Sequence, residues 1–199
     1  MGYGHRYLYL KEFIMKKIML CFALLCSFIS SSTMAARPSY PFSDSIATGL
    51  SRHHIIPWEE LVSFGTDNFT SDADRTTLIT AIIGTRTVNL GSFQGNIPQL
   101  VAGLHAPQNS EAVEVWQSLL AWTQGNLVVG TNTRPDDPGS KFDTVAYTCL
   151  KAVNHDTVYT NIFDAWRAPT ATVAAKKQYF LTMAAHNIAN AAGLPCWTP

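Results

Sequence analysis

The sequence has little of the positive charge on which most nucleic-acid-binding surfaces depend. Only 14% of its 199 residues are charged, and 14 Lys and Arg are balanced by 14 Asp and Glu. After the first 35 residues no basic cluster occurs, and the densest pair is Lys176 and Lys177. Because neutralisation of a phosphate backbone needs clustered cations, this absence argues against a broad electrostatic surface for nucleic acid.

The common short catalytic motifs are also missing. The chain contains no HExxH, CxxC, GxSxG, GxGxxG or Walker pattern. The enzyme classes that these motifs mark are therefore excluded for this sequence. Any activity has to come from a less common arrangement of side chains.

The one strongly apolar run near the N-terminus is too short to span a bilayer, which needs about 20 residues. Met15 and two lysines precede "IMLCFALLCSFIS", and "SSTMAARPSY" follows. A short basic stretch, an apolar core and a small-residue cleavage site are typical of a secretory signal peptide. We predict that residues 1–35 are this peptide, cut after Ala35 or after Ala36, with Met15 as an alternative start. The protein is then secreted or periplasmic.

The 164 residues that remain suit one domain with a sizeable core. Lys and Arg number 10 and Asp and Glu number 13 in residues 36–199, a net charge of −3. Of the four cysteines, Cys149 and Cys196 remain after the cut. In an oxidising compartment we expect them to form one disulfide, and two separate buried thiols are the alternative.

Hydrophobic periodicity predicts a mainly α fold with a few short β-strands, an α+β class, in a single compact secreted domain. Residues 36–50 are predicted to be an extended lead-in, and 51–199 a single mostly helical domain. A strand is predicted over 52–56, and Pro57 is well placed to begin a helix through Phe64. Residues 125–140 are dense in Gly, Pro, Asn and Asp, which predicts a long loop. Further helices are predicted over 72–83, 97–104, 110–124, 142–153, 160–167 and 171–192.

The adjacent histidines His53 and His54, in "SRHHIIPWEELVSF", are the strongest chemical feature. A neutral imidazole can bind a divalent metal or accept a proton near pH 7. Successive side chains of a strand point to opposite faces, so the two rings are expected to take different roles. The alternative is that both are structural residues with ordinary hydrogen bonds.

The stretch "RHHIIP" resembles the first motif of the His-Me finger nucleases, the HNH and endonuclease VII group. The resemblance covers about six residues. It implies that His53 is a metal ligand and that His54 is the general base that activates water. It also implies a divalent cofactor (Mg²⁺, Mn²⁺ or Zn²⁺) and nucleic acid as the substrate.

The same resemblance implies an Asn that orients the base and a last metal ligand, and two assignments are open. In the first, "WTQGNLVVG" supplies Asn126, and Asp136 or Asp137 of "RPDDPG", or His155, is the last ligand. Asn126 follows His54 by 72 residues, so a helical insertion has to fill the connection. In the second, Asn89 or Asn96 orients the base and His105 is the ligand. The "RPDDPG" stretch also fits an ordinary surface turn.

Two functional hypotheses follow. The first is an exported metal-dependent hydrolase, an endonuclease or toxin acting on nucleic acid, for which an immunity or delivery partner is conceivable. The second is a non-catalytic secreted helical binding protein that one disulfide stabilises and whose histidines have no catalytic role.

Overall fold

A computed structural model of the chain describes residues 36–106, 110–134 and 136–192. The predicted signal peptide and Cys196 lie outside these residues. The described residues from Arg37 onwards belong to one compact unit.

The described residues form seven α-helices and a three-stranded sheet, which confirms the predicted α+β class. In chain order these elements are β1 (Leu50–His54), α1 (Trp58–Asn68), α2 (Asp72–Ile83), α3 (Ile97–Gly103), α4 (Ser110–Ala121), β2 (Leu127–Thr131), α5 (Thr144–Val153), α6 (Thr157–Arg167), α7 (Val173–Ala185) and β3 (Ala189–Asn190). Short 3-10 turns occupy Gly91–Phe93 and Gln124–Asn126. Within the described ranges, none of the helices is both long and apolar enough to cross a membrane.

The sheet brings together strands that are far apart in the sequence. Strand β2 lies in the centre, antiparallel to β1 and parallel to β3. His54 at the end of β1 is opposite Leu127 at the start of β2. The four helices α1–α4 fill the connection between β1 and β2, so the chain leaves β1, builds a helical layer and returns to pair beside the histidines.

The prediction of a loop over 125–140 was wrong for its first part. Residues 127–131 form β2, and Leu127, Val128 and Val129 are buried in the centre of the domain. The Gly, Pro, Asn and Asp content that indicated a loop is concentrated after residue 131. A short apolar run with two valines is typical of a buried central strand, and β2 is such a strand because it is buried on both faces.

Helix α1 continues past the predicted end at Phe64 and ends at Asn68. Gly65 is buried inside it, and a Cβ at this position would lie 2.6 Å from Cδ2 of Leu120 in α4. The glycine therefore allows α1 and α4 to approach closely instead of ending the helix. Tertiary packing overrode the usual helix-breaking preference of the residue.

The last predicted helix, 171–192, is also shorter than expected. Helix α7 ends at Ala185, and the chain turns to form β3 beside β2. The Arg86 guanidinium fixes this turn, since its Nη2 donates to the His186 carbonyl at 2.6 Å and its Nε to the Asn187 side chain at 3.3 Å. Pairing with the central strand replaces the final helical turns.

The lead-in has no regular structure up to residue 49, apart from an isolated bridge between Phe42 and Val88. It nevertheless packs on the domain. The Trp122 indole N–H donates to the Pro38 carbonyl at 2.6 Å, and the Gln124 amide donates to the Tyr40 hydroxyl at 2.7 Å. The lead-in therefore forms one wall next to β1.

Gly125 lies where α6 and α7 meet the start of β2. Tyr159 donates its hydroxyl to the Gly125 carbonyl, and the Tyr159 ring stacks on His186 at 3.8 Å between centroids. A Cβ on Gly125 would overlap the Met183 backbone carbonyl, which has no room to move within its helix. Gly125 thus allows the closest approach of α7 to the sheet.

We predict that Gly125→Ala lowers the free energy of unfolding by about 1–3 kcal/mol, because overpacking against backbone forces the helix to shift. Gly65→Ala is the comparison variant and is expected to cost less, since its new methyl group would press on the buried side chain of Leu120 and not on backbone. Urea denaturation of both variants measures the difference. Equal losses, or a smaller loss for Gly125→Ala, would contradict this account.

Candidate functional site

A cleft of about 140 Å³ opens beside the end of β1. One wall is the lead-in, and the other is the loop between β2 and α5. Both histidines of the "RHHIIP" stretch contribute to it. The residues that line the cleft are Arg37, Ser51, Arg52, His53, His54, Pro57, Trp58, Asn132, Asp137, Pro138, Gly139 and Asp143.

The His54 ring is held in one tautomer by the end of helix α4. Its Nε2 lies 2.9 Å from the carbonyl oxygen of Ala121, the last residue of that helix. A carbonyl can only accept, so Nε2 carries the proton, and Nδ1 carries the lone pair of the neutral ring. Carbonyls of a last helical turn lack partners within the helix, which makes this one available to His54. The ring also packs against Trp122, 5.0 Å between centroids.

His54 is strongly favoured in its neutral form. Burial, and after it the positive charge of Arg37, lower its pKa to about 3, while the bond to the Ala121 carbonyl acts in the opposite direction. The residue is half-buried and lines the cleft, although most of its surroundings are protein. At neutral pH the Nδ1 lone pair is therefore free of a proton.

His53 points to the other face of β1, as the strand prediction required. Its Nε2 lies 2.9 Å from the Thr131 carbonyl oxygen and 2.9 Å from the Ser51 hydroxyl. Burial lowers the pKa of His53, and the nearby Arg134 acts in the same direction. Because Nε2 donates to a carbonyl, this nitrogen has no lone pair to offer a metal ion.

Asn126, one of the predicted orienting residues, lies directly beside the histidine strand. Its buried side-chain amide accepts from the Ile56 N–H and donates to the Ile56 carbonyl, both at 2.8 Å. Its own backbone carbonyl accepts from the Ile55 N–H at 3.0 Å. Asn126 therefore acts on His54 through the backbone that follows it, not through the imidazole.

Asn96, another predicted orienting residue, caps helix α3 instead. Its side chain accepts from the backbone N–H of Gln99 at 3.0 Å and is exposed. The predicted partner ligand His105 lies 2.6 Å from the Asp72 carboxylate, and both side chains are more than half exposed. Neither residue lines the cleft. The structure thus brings Asn126 to the histidines and leaves Asn96 and His105 elsewhere.

The "RPDDPG" loop is organised around Arg134. The Arg134 guanidinium pairs with Asp143 at 2.6 Å and with Asp136 at 2.7 Å. Asp137 lines the cleft, and its carboxylate accepts from the Gly139 N–H at 2.9 Å. Of the two predicted carboxylate ligands, Asp136 is therefore committed to an ion pair, and Asp137 closes a turn at the edge of the cleft.

Asp143 is a cleft residue that the sequence analysis missed. It is buried, caps α5 by accepting from the Ala146 N–H at 2.8 Å, and donates its own backbone N–H to the Ile55 carbonyl at 2.8 Å. An Asp before an apolar helical pattern is a recognisable N-cap signal. Nothing in the sequence indicates, however, that this cap lies in the same cleft as His53.

The described residues do not bring together the metal ligands that the resemblance implied. Across ranges 36–106, 110–134 and 136–192, no group of three or more His, Cys, Asp or Glu side chains is placed to hold a metal ion. His53 uses Nε2 as a donor, Asp136 is paired with Arg134, and His105 lies away from the cleft. No step of the chemistry below is therefore assigned to a metal.

Two arginines give the cleft its positive charge, and the sequence analysis did not single out either. Arg52 stacks on the Tyr40 ring at 3.8 Å and is paired with the Asp44 carboxylate at 2.8 Å. Arg37 is exposed and lies over the Trp122 ring at 5.5 Å. Among the described residues Arg37 has no carboxylate partner, so its charge is available to an anion in the cleft.

Comparison with known proteins adds no relative for this site. No family model, no curated protein and no solved structure matches the chain. The likeness to His-Me finger nucleases therefore depends on the "RHHIIP" motif and stays a prediction. The predicted disulfide also stays a prediction, since Cys149 is buried in α5 and Cys196 lies outside the described residues.

We predict that Asn126→Ala destabilises the domain by about 2–4 kcal/mol, because it leaves the buried N–H and carbonyl of Ile56 without partners. Asn132→Ala, an exposed position just beyond β2, is the matched control and is expected to change stability by less than about 0.5 kcal/mol. Denaturant unfolding of both variants provides the measurement. If Asn126→Ala matched Asn132→Ala, the amide would not be what holds this segment.

The lowered pKa of His54 also predicts a pH dependence of stability. An unfolded histidine binds a proton near pH 6.5, whereas folded His54 binds one only near pH 3. Between these values the unfolded state binds more protons, so the fold loses stability as the pH falls, by up to about 1.4 kcal/mol per unit. His53 contributes in the same direction.

His54→Gln removes this titration and can keep a donor near the Ala121 carbonyl. We expect the variant to lose less stability than the wild type between pH 6.5 and pH 4, as measured by denaturant unfolding at each pH. His155→Ala, an exposed histidine between α5 and α6, is the control and is expected to follow the wild-type slope. Identical slopes for wild type and His54→Gln would show that His54 is not held neutral.

Proposed function

We propose that this chain is an exported enzyme that cleaves phosphodiester bonds in nucleic acid, with His54 as the general base. The observation that supports this most directly is the state of His54. It is neutral, its Nε2–H is fixed on the Ala121 carbonyl, and the residue lines a cleft that also contains Arg37. A fixed, neutral imidazole beside an available cation is what proton abstraction next to an anionic phosphate requires.

In the proposed reaction the anionic phosphate oxygens contact Arg37, and Nδ1 of His54 takes a proton from the attacking hydroxyl. The imidazolium that forms keeps its Nε2–H on Ala121, at the C-terminal end of α4. The negative end of the helix dipole stabilises a positive charge at this place. A bound phosphate has the same effect, because its negative charge raises the pKa of His54 towards the working range.

Asn126 and Asp143 hold the base in position. Ile55 and Ile56 are the two residues after His54. Asn126 makes hydrogen bonds to both of them, and Asp143 makes one to Ile55. A general base has to stay within hydrogen-bond reach of the proton that it removes, so the backbone that carries it must be rigid. These two are positioning residues, since neither touches the imidazole.

The net charge of −3 on residues 36–199 limits how the substrate is bound. Without a basic surface, the cleft has to hold one or two phosphates locally and cannot grip a long duplex electrostatically. A divalent cation, an immunity or delivery partner, and action as a toxin remain parts of the wider hypothesis. The requirement for a cation is tested by adding Mg²⁺, Mn²⁺ or Zn²⁺, and by adding EDTA, to the cleavage assay.

His54→Ala is expected to lower the rate of phosphodiester cleavage by about 10²–10⁴-fold, the usual contribution of a general base. The assay incubates the wild type and the variant with plasmid DNA and with RNA, each with divalent cation and with EDTA. His155→Ala is the control and is expected to keep wild-type activity. Circular dichroism and thermal melting confirm that all three proteins are folded.

If the folded wild-type protein leaves DNA and RNA intact under every condition, the proposal is wrong. The non-catalytic secreted binding protein then becomes the better hypothesis. Equal cleavage by wild type and His54→Ala would also contradict the proposal, because it would assign the activity to a contaminant or to another site.

A further inference from the structure

The donor groups of the cleft favour one kind of phosphodiester over another. This argument depends on the proposed function and concerns its substrate. Asp143 and Asp136 are both paired with Arg134, and Nε2 of His53 donates to the Thr131 carbonyl. Asp137 is then the one carboxylate of the cleft that is not in an ion pair within the described residues. A ligand set that would activate water on a metal needs more donors than this.

Without such a set, the identity of the nucleophile becomes decisive. Water is a poor nucleophile for a phosphodiester, and a general base contributes about 10²–10⁴-fold to its attack. A 2′-hydroxyl of RNA is already held next to the phosphorus by the covalent structure of the substrate. Such intramolecular attack corresponds to effective concentrations of about 10⁵–10⁸ M. A base and a cation are then sufficient.

We propose that the cleft cleaves RNA by transesterification, with the substrate's own 2′-hydroxyl as the nucleophile, His54 as the base and Arg37 as the phosphate-binding residue. This chemistry uses only groups that the cleft contains. His54 supplies a lone pair on Nδ1, and Arg37 supplies a positive charge that no described carboxylate neutralises.

The reaction is balanced without a cofactor. The 2′-oxygen forms a bond to phosphorus while the bond from phosphorus to the 5′-oxygen breaks. The proton of the 2′-hydroxyl moves to Nδ1 of His54, and the departing 5′-oxygen takes a proton from water. The hydroxide left behind recovers the proton from His54. The products are a 2′,3′-cyclic phosphate and a free 5′-hydroxyl, and no water is consumed.

The shape of the cleft supports a single-stranded substrate. Its volume is about 140 Å³, and His54 lies behind the lead-in residues that pack on Trp122. A rigid duplex holds its phosphates in fixed positions on the outside of a helix, so it cannot bend one phosphate into such a recess. A single strand can bend one phosphate into the cleft, and the half-buried Trp58 of the cleft lining is the aromatic residue on which we expect an unpaired base to stack.

The test uses four substrates with the full exported chain. They are a single-stranded RNA oligonucleotide, the same sequence with 2′-O-methyl groups, the same sequence as DNA, and the RNA annealed to its complement. Each is incubated with EDTA and, separately, with Mg²⁺. We expect cleavage of the single-stranded RNA alone, at equal rates with and without EDTA, and mass spectrometry of the product is expected to show a 2′,3′-cyclic phosphate.

Two variants complete the test. Arg37→Ala is expected to lower kcat/KM for RNA by at least about tenfold, because it removes the charge that stabilises the transition state. Lys176→Ala is the matched control, since it removes another cation that lies over a tryptophan, 4.8 Å from the Trp166 ring and outside the cleft. His54→Ala, purified in parallel, shows whether any activity comes from a contaminating ribonuclease.

The outcomes separate the two proposals. Cleavage of DNA or of 2′-O-methyl RNA, or loss of all activity in EDTA, would overturn the transesterification mechanism while leaving a phosphodiesterase dependent on His54. Equal or faster cleavage of the annealed RNA would overturn the single-strand selectivity. Equal activity of Arg37→Ala and Lys176→Ala would show that Arg37 does not bind the phosphate. No cleavage of any substrate would reject the proposed function itself.

Discussion

The candidate site depends above all on the pair of hydrogen bonds between the Asn126 amide and the Ile56 backbone. These bonds are buried, and they join two segments that are 70 residues apart in the sequence. They continue the ladder of β1 and β2 beyond the last paired residues, His54 and Leu127. The Asn126 side chain supplies the acceptor and the donor that a neighbouring strand would otherwise offer to Ile56. It therefore fixes the chain where the regular pairing of β1 and β2 stops, and His54 lies just before that point.

The helices then explain why this junction is rigid. Helix α4 ends at Ala121 and offers its last carbonyl to His54, while Gly125 lets α7 approach the start of β2 without an intervening side chain. Asp143, the N-cap of α5, also contacts the junction, because its backbone N–H donates to the Ile55 carbonyl. Three helices therefore contact the junction through their ends or through close backbone approach. Single substitutions at Gly125 or Asn126 are thus expected to disturb the site together with the fold.

Much of this arrangement could be predicted from the sequence, but the contacts that select among alternatives could not. Periodicity indicated the helices. The β-branched residues after the histidines indicated a strand over 52–56, but the strand is Leu50–His54 and those isoleucines lie just beyond it. The sequence left Asn126 and Asn96 open, because both are an Asn near an apolar segment. Only the pairing of β2 with β1 separates them. Arg37 and Asp143 were missed for the same reason, since the lead-in and a helix cap reach the histidines only through tertiary packing.

Burial of His54 has opposite effects on the proposed chemistry. It keeps the ring neutral, so the lone pair is present at every pH near neutrality, yet the low pKa makes the ring a weak base. A neutral substrate in the cleft would leave the pKa of His54 low. A phosphate anion would raise this pKa, since it stabilises the imidazolium and also offsets the repulsion from Arg37. The cleft is therefore suited to act as a base when an anion is bound, which couples recognition of the phosphate to the activation of His54.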